Sequence, residues 1–161
     1  MLLAVFSDSH GRPDGMRRAV EHFRPAQVVF LGDGARDAED VAAAFPDIPF
    51  LILRGNCDWN DALHQESALF ELGGVRVFAV HGHRHGVKAG LEAFANSVHC
   101  AGARLGLYGH THLARVHDMG EFRLLNPGSV GDRLSPTFGL IKIENGDLDC
   151  QIIRIGKDFL I

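Results

Sequence analysis

An α/β fold, with two packed mixed sheets flanked by helices, is what the sequence predicts. Three observations carry that expectation. Strand-length apolar runs alternate with helical stretches in the first half, and glycine-marked hairpins dominate the second. Five of the apolar runs also end in glycine-flanked clusters of polar side chains: Asp8-Ser9-His10-Gly11, Gly32-Asp33-Gly34, Gly55-Asn56-Cys57-Asp58, His81-Gly82-His83 and Gly109-His110-Thr111-His112. In open α/β sheets ligands bind beyond the carboxyl ends of the strands, so five such clusters describe one convergent site.

The elements follow in order. Leu2–Phe6 has strand length, and Pro13–Phe23 reads as a helix because Pro13 suits a first helical turn. Val28–Leu31 is a second strand. Asp37–Phe45 is an alanine-rich helix, opened by acidic residues and closed before Pro46. Phe50–Leu53 completes a βαβαβ unit, which implies parallel strands with right-handed crossovers. Ala68–Leu72 and Val75–Val80 flank Gly73-Gly74, a hairpin signal. Val87–Cys100 forms a helix with Leu91, Phe94, Ala95 and Val98 as its apolar positions, and Arg104–Tyr108 is a short strand. Two further hairpins join Ala114–Asp118 to Phe122–Leu125 at Met119-Gly120, and Thr137–Glu144 to Leu148–Ile155 at Asn145-Gly146. Without repeats, linkers or low-complexity stretches, residues 1–161 read as a single domain.

Composition narrows the function classes. Apolar content of 46% and charged content of 22% are those of an ordinary globular protein. A formal net charge of −4 argues against bulk attraction to nucleic acid. Cys57, Cys100 and Cys150 are odd in number and far apart, which fits a reducing compartment rather than a disulfide framework. The run Leu2–Phe6 lacks the length and basic flank of a signal peptide, and no stretch approaches the roughly 20 apolar residues of a membrane span. A cytoplasmic protein without membrane attachment is expected. Histidine is the excess, with ten residues, many of them in the five clusters.

A metal needs convergent lone pairs. Asp8 with His10, and His110 with His112, stand two apart, so on an extended chain each pair would face one side. Asp33 has two oxygens and can bridge two cations, and Asn56 offers a neutral carbonyl oxygen. Taken singly, each cluster also reads as a plain turn or a structural histidine. Taken together, the order Asp, His, Asp, Asn, His, His, His resembles the calcineurin-like metallophosphoesterase superfamily, whose signature runs D-x-H, GD, GN, H and GH-x-H. The resemblance runs from Asp8 to the Asn126-Pro127-Gly128-Ser129 turn and the final hairpin. In length and in Gly55-Asn56-Cys57-Asp58 the chain is most similar to the small prokaryotic phosphodiesterases of the YfcE type.

That resemblance implies a four-layer α-β-β-α sandwich and two divalent transition metal ions. Asp8, His10 and His112 would hold one ion with one oxygen of Asp33; Asn56, His81 and His110 would hold the other with the second oxygen. Imidazole mixed with oxygen suits Mn, Fe, Co, Ni or Zn better than Ca or Mg, and Mn is placed first. The activity implied is binuclear hydrolysis of small phosphodiesters by a metal-bridging hydroxide, at a site left about one unit positive. Much of the superfamily has His after Gly-Asn, where this chain has Cys57, so protonation of the leaving group falls to another residue. His83 is the candidate, and Asp58 is expected to orient a ligand loop or a histidine. Arg12, Arg36 and Arg84 lie beside the clusters as candidate phosphate contacts. The alternatives are a phosphomonoesterase and a non-catalytic scaffold, like the retromer subunit of this fold. A homo-oligomer is left open.

Overall fold

Along the first strand the side chains alternate. Leu3 and Val5 belong to one apolar cluster, Ala4 and Phe6 to another, and all four are buried. A strand buried on both faces needs a cover on each, and that requirement organises the molecule. The computed structural model describes residues 1–160. Its elements are β1 (Leu2–Phe6), α1 (Asp14–Phe23), β2 (Gln27–Phe30), α2 (Ala35–Ala44), β3 (Phe50–Ile52), β4 (Ser67–Leu72), β5 (Val75–Val80), a 3-10 turn (His83–His85), α3 (Glu92–Cys100), β6 (Leu105–Leu107), β7 (Arg115–Asp118), β8 (Arg123–Asn126), β9 (Thr137–Glu144), β10 (Asp147–Ile155) and β11 (Phe159–Leu160).

The strands form two sheets, ordered β11-β10-β9-β1-β2-β3 and β4-β5-β6-β8-β7. In the first, β1, β2 and β3 are parallel, with Leu3 opposite Gln27 and Val28 opposite Phe50, while β9 lies antiparallel to β1. Leu3, Val5, Val29 and Leu31 meet Val75, Val77, Ala79, Leu105 and Leu107 between the sheets. Outside the first sheet, Met16, Ala19 and Val20 of α1 and Ala38 and Val41 of α2 cover Ala4, Phe6, Val28 and Phe30. Outside the second, Phe94 and Val98 of α3 cover Val80, Tyr108 and Leu124. The layers therefore run α-β-β-α, as the resemblance implies. Among the described residues no helix is long and apolar enough to cross a membrane.

Four local expectations change. Pro13 is the N-cap of α1 rather than part of its first turn. Helix α3 begins at Glu92, because residues 87–90 fold into turns closed by Val87 N–H to Gly82 O and by Ala89 and Gly90 N–H to Gly86 O. The second sheet is less hairpin-like than expected, since β5, β6 and β8 are parallel neighbours and only its edge strands β4 and β7 run the other way. Strand β11, unforeseen, pairs Phe159 with Ile155.

Candidate metal centre

Strands β1, β2, β3, β5 and β6 all deliver their following loops to the same end of the two sheets. Asp8, Asp33 and Asn56 follow strands of the first sheet; His81, His110 and His112 follow strands of the second. The D-x-H and H-x-H segments are not extended. Asp8, His10, Asp33, His110 and His112 all have positive φ, between +46° and +67°. Non-glycine residues in this region are uncommon and cost on the order of 1 kcal/mol or more each, so the fold is holding them there. The turn also separates partners that extended geometry would have kept together. His112 joins Asp8 and His10, whereas His110 joins His81 and Asp33.

The two groups sit at different depths. In the outer one, His112 Nε2 stands 3.1 Å and His10 Nε2 3.7 Å from Asp8 Oδ1, and the two imidazole nitrogens are 3.4 Å apart. Asp8 is fully buried, while the His10 and His112 side chains are 36% and 45% exposed. In the inner one, His81 Nε2 lies 3.5 Å from Asp33 Oδ2, 3.2 Å from Asn56 Oδ1 and 3.2 Å from His110 Nδ1. His81 Nδ1 is 3.1 Å from Leu31 O, so its proton sits there and Nε2 turns toward the cluster. Asp33 stands between the groups, within ligand reach of His10 and Cys57 on one side and of His81 and His110 on the other.

These donor sets fit divalent cations. Asp8 Oδ1 is buried and makes no hydrogen bond, and nitrogens and oxygens that all offer lone pairs face one another at 3.2–3.5 Å. A buried carboxylate oxygen without a partner calls for a positive charge. The titration tendencies of the metal-free cluster agree. Burial disfavours the Asp33 anion, yet His81 and the Cys57 amide outweigh it and hold the carboxyl well below its usual range. Burial likewise disfavours charged His81, yet Asp33 and Asp8 raise its pKa. His110 is pushed down, first by burial and then by His81. A proton on His81 thus occupies the place a cation would take.

Backbone frames hold the ligands. Asp58 accepts amide hydrogens from Asp33 (2.7 Å), Gly34 (2.9 Å), Ala35 (3.0 Å) and Gly55 (2.8 Å), tying the Asp33 loop to the Asn56 loop and capping α2. At Gly55 an added methyl would overlap Asp33 Oδ1 and the Asp33 amide, so only glycine lets the loops close. Two residues of the Asn126-Pro127-Gly128-Ser129 turn, which the sequence offered without a chemical role, belong to this frame. Buried Asn126 donates to Gly109 O and Thr111 Oγ1, at 3.0 Å each, and Ser129 Oγ donates to Asp8 O at 2.7 Å. Their position at the end of β8, beside the cluster-bearing strand ends, was the available signal.

The remaining candidates lie around the rim. His83 opens the 3-10 turn, its ring centroid 5.5 Å from that of His81, and its buried Nδ1 has no partner. Burial and then His81 push its pKa down. Cys57 is exposed; its amide donates to Asp33 Oδ1 at 2.7 Å, and desolvation followed by Asp33 pushes its thiol up to about 11. Arg84 is paired with Glu66, Arg12 donates to Gly131 O, and Arg36 is exposed on α2.

Comparison with known proteins identifies the family. A probable metallophosphoesterase of Methanothermobacter thermautotrophicus is 30% identical over 165 residues, covering 97% of this chain and 94% of that one. The crystal structure of a predicted phosphoesterase from Streptococcus pneumoniae superposes with a TM-score of 0.80 at 22% identity, covering 95% and 88% of the two chains. Vps29 of Entamoeba histolytica, solved with zinc, superposes with a TM-score of 0.78 at 20% identity, covering 97% and 100%. Residues 1–146 match the calcineurin-like phosphoesterase superfamily domain. With that match over most of its length, the chain belongs to the calcineurin-like phosphoesterase superfamily, among its small metallophosphoesterases.

Proposed function

We propose that the protein is a phosphodiesterase that works with two divalent transition metal ions on small substrates. One observation carries the reading: Asp33 stands within ligand reach of His10 in the outer group and of His81 and His110 in the inner one, so its two oxygens can serve two ions. Asp8, His10 and His112 would hold the outer ion, and Asn56, His81 and His110 the inner one. Bound there, the ions would supply Lewis acidity toward a phosphoryl oxygen and a water of lowered pKa.

The chain's own residues do the rest. Asp58, Asn126 and Ser129 are positioning residues that hold the ligand loops. His83, which lines one cleft with Asn56, is the candidate to meet the leaving oxygen, since Cys57 is a weak proton donor. The diester is favoured over the monoester because a dianionic monoester asks for extra cationic recognition. Here Arg84 is neutralised by Glu66 and Arg12 is committed to a backbone carbonyl. An enzyme is favoured over a scaffold because all seven ligand positions carry competent side chains.

The test is hydrolysis of bis(p-nitrophenyl) phosphate by chelator-stripped protein, with and without added Mn²⁺, Ni²⁺, Co²⁺ or Zn²⁺. Metal should restore turnover, and Asp33→Asn should lower kcat/KM by about a hundredfold or more, since loss of a residue that merely hydrogen-bonds a ligand already costs about 10–100-fold. Saturable binding of two ions without any turnover would point instead to a scaffold.

A further inference from the structure

Trp59 is the chain's one tryptophan, placed three residues after the candidate ligand Asn56, and it is 81% exposed. Leu63, on the same loop, is 84% exposed. The loop that presents them is braced. Asp61 N–H donates to Asp58 O at 2.9 Å, and Arg54 donates to Asp61 O at 2.6 Å. The Asp61 carboxylate accepts the amides of Leu63 and His64 and stands 2.7 Å from His64 Nδ1. Both side chains line one groove beside the candidate metal centre.

Between this loop and α2 runs a groove of about 490 Å³, within the 300–1,000 Å³ of small-ligand sites. It starts at Cys57, whose amide holds Asp33, and opens outward past Trp59 and Leu63. Its charge is one-sided, with Asp37, Glu39, Asp58 and Asp61 against Arg36 alone. A second phosphate group would be repelled there. An uncharged nucleobase would not, because its face can lie on the indole and its ring or exocyclic N–H groups can donate to an exposed carboxylate such as Glu39.

We propose that this groove receives a nucleoside arm of the phosphodiester, its base on the Trp59 indole, an assignment that rests on the phosphodiesterase reading above. The substrate class is then a nucleotide diester with no further phosphates on that arm.

Two measurements test it on the metal-loaded protein. In the first, AMP should quench the fluorescence of Trp59, the sole tryptophan, while glycerol 3-phosphate at equal concentration should not. In the second, kcat/KM is compared for thymidine 5′-(p-nitrophenyl phosphate) and methyl p-nitrophenyl phosphate, which share a leaving group and differ only in the other arm. Trp59→Ala should lower the ratio of the first to the second about tenfold, and Trp59→Phe should restore most of it. An unchanged ratio in Trp59→Ala, or equal quenching by both phosphates, would overturn the assignment. Quenching by AMP without turnover of either diester would uphold the groove and remove the hydrolase reading. Ready turnover of both diesters with neither quenching nor a change in ratio would do the reverse.

Discussion

His81 shows how single residues set the behaviour of the centre. It is buried, its Nδ1 proton is fixed on Leu31 O, and Asp33 and Asp8 raise its pKa above the ordinary imidazole value. A metal ligand must be deprotonated at the ligating atom, so an incoming ion has to displace the proton on Nε2 while Nδ1 keeps its own. Because the pKa is raised, the competition extends to higher pH than for a free histidine. Metal affinity should therefore climb with pH through the neutral range and level off above the His81 pKa, by about tenfold per pH unit for one displaced proton. Titration calorimetry at several pH values checks this, and an affinity that stays flat from about pH 5.5 to 8, across the ordinary imidazole range, would exclude it. The identities of the candidate ligands were readable as residue types behind apolar runs. Their geometry was not, because spacing suggests extended pairs while five of these residues adopt positive φ. Backbone conformation of that kind is imposed by contacts far away in sequence, such as Ser129 on Asp8.

Among the elements, the strands that head the site, β1 and β5, match their expected bounds, and so does β9. Their apolar patterns and the Gly73-Gly74 and Asn145-Gly146 turns are local signals. The start of α3 was misplaced because Val87 and Leu91 extend its apolar pattern backward, whereas the turns centred on Gly82 and Gly86 decide where the chain becomes helical. The parallel pairing of β5, β6 and β8 depends on how β7 is displaced to the edge, which no local window contains. Once α3 is in place it packs tightly on β6. A Cβ at Gly106 would stand 2.6 Å from Val98 Cγ2 and 2.7 Å from Leu124 Cδ2. Gly106→Val should force the helix off the sheet and destabilise the protein by about 1–3 kcal/mol, the usual cost of overpacking. Urea unfolding measures it, and a change below about 0.5 kcal/mol, the range of surface substitutions, would show that α3 is free to shift.

For the whole molecule, the centre lies across the seam between the sheets. Asp8, Asp33 and Asn56 come from one sheet and His81, His110 and His112 from the other, so a bound ion links the two halves of the core. A ligand that binds only the folded state stabilises it by about 2.7 kcal/mol at a hundredfold excess over its Kd. For a chain of this size that corresponds to a rise in Tm of about 5–10 °C. Differential scanning calorimetry of stripped and metal-loaded protein should show it, and superimposable transitions would argue against the ligand cluster.

The topology also ties the centre to the order of the chain. The first sheet is built from residues 2–52 and 137–160, and the second, from residues 67–126, lies in between. All the candidate ligands lie before residue 113, yet the frame of Asp8 is completed by Ser129, Val130 and Gly131 on the Ser7–Asp8 backbone and by the pairing of β9 with β1. The inner group, by contrast, is framed by Asp58 and Leu31, which precede its last ligand in the chain. Closure of the outer cluster is thereby tied to a segment that follows every candidate ligand in the chain, so the shape of the centre depends on residues that take no part in its donor set.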